Sequence, residues 1–136
     1  MAMDRATVAG ANHLHGLISR RVHNRGLDHR GKRIGLNSKR KGSYSPGWRR
    51  ERLAKGRQVK RIDMEYESDL RRHFRMVIDD KGVRLSVLSE LQIAKLEGAE
   101  KRYKTKIYDP MPNELSEAKE VFIRIFRQEL QKELRA

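Results

Sequence analysis

One stretch of the chain matches most of a phosphate-binding loop. Gly26, Gly31 and Lys32 have the G-x-x-x-x-G-K spacing, in which backbone amides and a lysine hold nucleotide phosphates. The next residue should be Ser or Thr, whose hydroxyl binds magnesium, but Arg33 stands there. The stretch also follows a predicted helix and precedes a loop, so it lacks the helix N-terminus that favours phosphate. We therefore interpret the match as a chance product of a glycine- and lysine-rich segment.

The other residues that could carry chemistry do not form a recognisable catalytic or metal site. Cysteine is absent, which excludes disulfides, thiolate zinc sites and cysteine nucleophiles. His13 and His15 are two residues apart and would point to different sides of a helix. Asp79 and Asp80 lie in a predicted turn, where Asp bonds the local backbone. The sequence predicts a protein that is not an enzyme and has no metal or cofactor.

Positive charge is concentrated in the first half of the chain. Residues 1–61 hold 17 Lys/Arg and three Asp/Glu, whereas residues 62–136 hold 15 of each, so the net charge of +14 lies entirely in the first part. Repulsion among these cations opposes compaction there. We therefore predict a single domain, 1–136, made of an N-terminal helix over 1–24, a basic extended arm over 25–57 and an α+β body over 58–136.

Composition limits the size of the core and the kind of partner. Hydrophobic residues are 37% of the 136, below the usual 45–50%, which allows one domain with a small core. No apolar run approaches the ~20 residues that a membrane-spanning helix needs, so we expect no membrane partner.

Hydrophobic spacing predicts helices at both ends of the chain. Three- and four-residue steps between apolar residues indicate a helix over about residues 4–24 and a stronger one over 113–134. A third helix is predicted from the cap residue Ser89 to about Tyr103.

Alternating residues predict strands between these helices. Residues 74–78 and 83–87 alternate around a turn at residues 80–82, which is typical of a β-hairpin, and residues 58–64 alternate weakly, as a further strand would. The predicted fold class is α+β: a small antiparallel sheet, made of the hairpin plus one or two strands, packed with an N-terminal and a C-terminal helix and joined to a long basic loop.

The basic arm has two physical interpretations. Its cations could bind nucleic-acid phosphates, with aromatic residues stacking on bases, or they could lie in acidic grooves of neighbouring protein subunits. Trp48 could pin the loop to the body or remain exposed for a partner. The candidate residues that contact a protein or DNA partner are Arg30, Lys32, Arg33, Lys39, Arg40, Lys41, Tyr44, Trp48, Arg49 and Arg50.

Several short motifs occur in a fixed order after the first predicted helix. They are G-x-D-x-x-G at residues 26–31, Ser-Tyr-Ser at 43–45, Gly-Arg-Gln at 56–58, A-K-x-x-G at 94–98 and Ile-Tyr at 107–108, before Ser116 in the terminal helix. In this order, over about residues 14–130, the chain resembles the tailed-phage neck and tail-completion proteins of the phage virion morphogenesis type. It departs from that family at Glu67-Ser68, where the family has Thr-Gly.

The resemblance implies a structural function. It implies an α+β fold without catalysis and a homo-oligomeric ring in the head–tail connector, neck or upper tail of a virion that is assembled in the host cytoplasm. The expected partners are neighbouring portal, adaptor or tail proteins, with contact to packaged DNA as a further expectation. The alternative is a basic, nucleic-acid-associated structural protein, such as a ribosomal subunit with a basic extension, since such proteins share the charge asymmetry.

Overall fold

Five α-helices and one β-hairpin make up the regular structure of the described chain. The computed structural model describes residues 1–65 and 69–135. In chain order the elements are α1 (Ala2–Ser19), a π-helical turn (Arg20–Asn24), α2 (Pro46–Ala54), α3 (Asp69–His73), β1 (Phe74–Asp79), β2 (Gly82–Val87), α4 (Glu90–Tyr103) and α5 (Pro112–Arg135). The α+β prediction is confirmed, with the terminal helices flanking a two-stranded antiparallel sheet.

The two terminal helices form an antiparallel pair. The backbone amide of Ala2 donates to Glu133 Oε1 at 3.0 Å, near the start of α1 and the end of α5. At mid-length the helices approach closely, because a Cβ added at Gly10 would lie 3.2 Å from the carbonyl oxygen of Ala118. The apolar spacing therefore located both helices correctly, within a few residues at each end. No helix in the described part of the chain is both long and apolar enough to cross a membrane.

The predicted hairpin is present, although Gly82, which was predicted to lie in the turn, belongs to β2. Phe74 pairs with Val87 at its base and Asp79 pairs with Gly82 at its tip. The weak alternation at residues 58–64 does not form a third strand, so the described sheet has two strands. The reason is local: the Gln58 side chain accepts the amide hydrogens of Lys60 and Arg61 and so curls this segment into a turn. Glu67 and Ser68, where the chain departs from the phage family, lie outside the described residues.

A small core joins the N-terminal helix to the hairpin. Ile18 and Val22 are buried against Phe74, whose ring stacks on that of Tyr108 with the centroids 4.1 Å apart. His15 covers the Phe74 ring and its Nε2–H donates to the Phe74 carbonyl at 2.6 Å. Stacked rings bury a large apolar area with few residues, which suits a chain with so few hydrophobic side chains.

A buried ion pair fastens the end of the N-terminal helical segment to the start of α5. Arg21 Nη1 donates to Glu114 Oε1 at 2.5 Å, and Nη2 donates to the carbonyls of Ile107 and Asp109. Burial lowers the pKa of Arg21, and the facing carboxylate of Glu114 opposes that shift. The same Oε1 accepts the amide hydrogen of Met111 at 2.9 Å, so Glu114 also caps α5. The Glu114 carboxylate thus both caps α5 and forms the ion pair with Arg21.

His23, two residues after Arg21, is also buried and is neutral at pH 7. Burial, together with the nearby cation of Arg71, lowers the pKa of His23 to about 4. Its Nδ1–H donates to the carbonyl of Asp63 at 3.1 Å, and its Nε2 accepts from the hydroxyl of Tyr108 at 2.5 Å. Burial raises the pKa of Tyr108, which keeps that hydroxyl protonated as the donor. The neutral imidazole satisfies both partners, because one of its nitrogens donates and the other accepts.

We therefore expect acid to destabilise the protein through His23. The unfolded chain takes up a proton near pH 6.5, whereas folded His23 resists it down to a pKa of about 4, so the free energy of unfolding should fall as pH falls below 6.5. Between pH 6.5 and 5 the loss should be about 2 kcal/mol. Urea unfolding as a function of pH measures this loss. A His23→Gln variant should lose that part of the slope, and an NMR titration showing His23 protonated at pH 6 would contradict the account.

Candidate functional site

The basic segment, residues 25–57, is folded against the body. Ile34 is fully buried, Asp28 is buried and the Arg52 residue is only 1% exposed. These positions correct the prediction of an extended arm, which rested on charge repulsion within the segment. Carboxylates and backbone carbonyls from within and beyond the segment offset that repulsion, through two sets of contacts around Asp28 and Arg52.

The first set of contacts is centred on Asp28. Its Oδ1 accepts the amide hydrogens of Arg30 at 2.8 Å and Lys32 at 3.2 Å, and its Oδ2 accepts from the Thr105 hydroxyl at 2.8 Å. Its backbone carbonyl accepts the amide hydrogen of Gly31. The amides that a phosphate loop would present to a nucleotide are therefore bound within the chain, which agrees with interpreting the G-x-x-x-x-G-K match as chance.

Two glycines allow this loop to approach the body closely. Gly26 has φ of +63°, and a Cβ there would lie 2.5 Å from the carbonyl oxygen of Ile62. Gly35 has φ of +79°, and its Cβ would lie 2.9 Å from the ring of Tyr103. No side chain fits at either position without moving its neighbour. The glycines that the sequence suggests are loop-forming thus also permit tight packing.

The second set of contacts is centred on Arg52 of α2. Its Nη2 donates to both carboxylate oxygens of Asp63, at 3.1 and 3.2 Å, and its Nε donates to the carbonyl of Gln58 at 3.0 Å. Its Nη1 donates to the carbonyl of Glu65. The guanidinium also lies 4.5 Å from the centre of the Tyr44 ring. Arg52 therefore ties α2, the loop before it and the turn after it together.

Tyr44 contacts Arg52 and Asp63 and is partly buried. Its hydroxyl donates to Asp63 Oδ1 at 3.2 Å. Burial raises the pKa of Tyr44, and the charge of Asp63 raises it further. The sequence pattern singled out Trp48 in this helix and did not single out Arg52. Trp48 is 37% exposed and Leu53 is 54% exposed, whereas Arg52 is buried. One arginine among many in a basic segment carries no sequence signal that would single it out.

An open groove of about 980 Å³ lies between the basic segment and α4. Four predicted binding residues line one side of it, and residues of α4 line the other. The first side has Lys39, Arg40, Tyr44 and Trp48, and the α4 side has Leu91, Lys95, Arg102 and Tyr103. Cations alternate with apolar and aromatic side chains. Such a surface suits a ligand that carries negative charge next to apolar or flat groups, such as an acidic protein segment or a nucleic acid.

The remaining predicted residues lie outside this groove. The exposed ones are Arg30, Lys32, Arg33, Lys41, Arg49 and Arg50. Arg33 has a structural contact as well, because its Nη2 donates to the carbonyl of Lys60 at 2.6 Å. The structure thus divides the predicted set into four groove residues and six others on the surrounding surface. Within the described residues, no group of three or more His, Asp or Glu is arranged to hold a metal ion.

Comparison of the chain with protein-family models, curated proteins and solved structures found no match.

Removing the Arg52 side chain should destabilise the fold strongly. Arg52→Ala leaves Asp63 buried without its cation, and breaking one partner of a buried pair costs about 3–5 kcal/mol. Urea unfolding at neutral pH measures the loss. Arg50→Ala, an exposed arginine on the same helix, is the matched control and should change stability by less than about 0.5 kcal/mol. Equal effects of the two substitutions would contradict the proposed role of Arg52.

Proposed function

We propose that the chain is a structural virion subunit of a tailed phage, of the head–tail connector or tail-completion type, and that it acts by assembling into a ring. The order of its sequence motifs supports this proposal, and so does the α+β arrangement with terminal helices. The single structural observation that carries it is an apolar stripe along α5 that the rest of the described chain does not cover.

The stripe is defined by Leu115, Ile123, Leu130 and Leu134. Spacings of eight, seven and four residues keep them on one side of the helix, and they are between 36% and 78% exposed. The side that faces α1 is different, since it carries the buried Ala118. An apolar row along a helix that is already packed on its other side is typical of a subunit interface.

A ring requires two different patches that meet between successive copies. The groove beside α4 supplies a second surface, because no residue of α5 lines it. Contacts of modest strength suffice in a closed ring, since each is repeated around the axis. The stripe and the groove together therefore support head-to-tail assembly.

The exposed cations outside the groove would then face the neighbours of the ring. Arg30, Lys32, Arg49 and Arg50 are all exposed. In a ring they would form a repeating positive band, suited to acidic surfaces of portal, adaptor or tail proteins, or to phosphates of DNA within a channel. We propose that the subunit works in the virion through these two kinds of contact.

The second candidate function is that of a basic, nucleic-acid-associated structural protein. The groove favours it, because Trp48 and Tyr103 lie among cations there and aromatic rings of this kind can stack on bases. This function predicts tight binding of RNA by the monomer, with an affinity that falls steeply as salt rises. Ring assembly does not require such binding.

Replacing apolar residues of the stripe should prevent assembly without unfolding the subunit. We expect the purified protein to form a closed oligomer as its concentration rises, and a Leu130→Gln, Leu134→Gln variant to require at least about tenfold more protein, because apolar area is lost from each contact. Sedimentation velocity measures the oligomer, and negative-stain imaging shows whether it is a ring. Leu88→Gln, a similarly exposed leucine away from the stripe, is the control.

Two outcomes would contradict this function. One is a variant that assembles as the original chain does. The other is an original chain that stays monomeric at all concentrations and binds random RNA tightly, with strong salt dependence at two salt concentrations, which would favour the second candidate.

A further inference from the structure

A second cleft, of about 550 Å³, lies beside the end of α1 and holds four arginines. They come from three elements: Arg20 from the π-helical turn, Arg71 and Arg72 from α3, and Arg75 from β1. None of the described residues that line the cleft is Asp or Glu. The second half of the chain has no net charge, so this positive cleft is a product of folding that charge counting along the sequence does not detect.

Existing contacts orient two of the arginines, Arg71 and Arg75, without neutralising the cleft. Arg71 Nη1 donates to Glu65 Oε1 at 3.0 Å and to Asn24 Oδ1 at 3.4 Å, and Arg75 Nε donates to the carbonyl of Arg72 at 2.6 Å. A guanidinium has five N–H donors, so these bonds leave others available. Glu65 offsets only one of the four positive charges. A strong positive potential therefore remains in the cleft.

The Ser19 hydroxyl is a second, independent indication of a ligand. Ser19 lines the cleft and is 6% exposed, and its Oγ is buried with no hydrogen-bond partner among the described residues. Buried hydroxyl groups in native proteins almost always have a partner, because an unpaired one costs free energy. The hydroxyl is closed to solvent, so the neighbouring side chains must shift before a ligand oxygen can supply that partner.

We propose that this cleft binds a phosphate group. Guanidinium groups that approach from three elements match a tetrahedral anion with several acceptor oxygens, and arginine binds phosphate in a bidentate manner. A planar carboxylate has two oxygens and would use fewer of these donors. Ser19 supplies one O–H donor, and Arg20, Arg71, Arg72 and Arg75 supply charge and N–H donors. This site is separate from both the groove and the α5 stripe.

Titration of the full-length protein with inorganic phosphate, at constant ionic strength, tests the proposal. We expect saturable binding by NMR or calorimetry. The affinity should fall at least about tenfold in an Arg20→Gln, Arg72→Gln variant, because charge-assisted bonds are lost, and about threefold or more in Ser19→Ala. Arg124→Gln, an exposed arginine on α5, is the control and should have no effect. Absence of saturable binding, or an equal loss in the control, would overturn the proposal.

Ser19→Ala keeps the test valid if the double variant does not fold, since it removes only a hydroxyl that has no partner in the described chain. A duplex of about 20 base pairs then identifies the source of the phosphate. If the duplex competes with inorganic phosphate and weakens in the same variants, the cleft binds a nucleic-acid backbone. If the substitutions leave the affinity for the duplex unchanged but lower the affinity for inorganic phosphate, the cleft binds a free or small phosphorylated molecule. Either result supports the proposed site. If the substitutions change the affinity for neither inorganic phosphate nor the duplex, the proposal is refuted.

Discussion

Two buried arginines, each facing one carboxylate, hold the N-terminal half of the molecule to the rest. Arg52 meets Asp63 at 3.1 Å and Arg21 meets Glu114 at 2.5 Å, and all four residues are buried. Other donors of both guanidinium groups bind backbone carbonyls, which helps a buried charge to be tolerated, whereas Arg21 Nε is buried without a partner among the described residues. Both carboxylates belong to the half of the chain that has no net charge. Attraction between the halves thus offsets repulsion within the basic half.

This arrangement explains what could and could not be predicted from the sequence. Apolar periodicity depends on neighbours along the chain, so the terminal helices, the hairpin and the Ser89 cap were predictable. The folding of the basic segment depends on contacts such as Asp28–Thr105, whose partners are 77 residues apart. Charge counting within a segment cannot detect them. The prediction of a strand over residues 58–64 was wrong for a local reason. The Gln58 side chain accepts the amide hydrogens of Lys60 and Arg61 and so forms a turn there.

The candidate site was predictable in its chemistry and less so in its geometry. The cations and the aromatics Tyr44 and Trp48 were expected to bind a partner, and four of the ten predicted residues do line one groove. Tyr44, however, donates its hydroxyl to Asp63 and so supports the buried cluster. The arginine cleft around Ser19 was not expected, since it draws on three elements. In the proposed virion subunit, the basic segment is therefore a folded cationic surface and not an extended arm. This surface is ordered before any partner binds.

The most direct test of this account is amide hydrogen exchange on the isolated subunit. In the folded basic segment, the amides of Leu27, Asp28 and Ile34 donate to the carbonyls of Arg21 in the preceding turn, Lys32 and Gly26, respectively. We expect these three amides to exchange as slowly as those in the middle of α1. Exchange at the rate of an unstructured chain throughout residues 25–57, with α1 and α5 still protected, would contradict it.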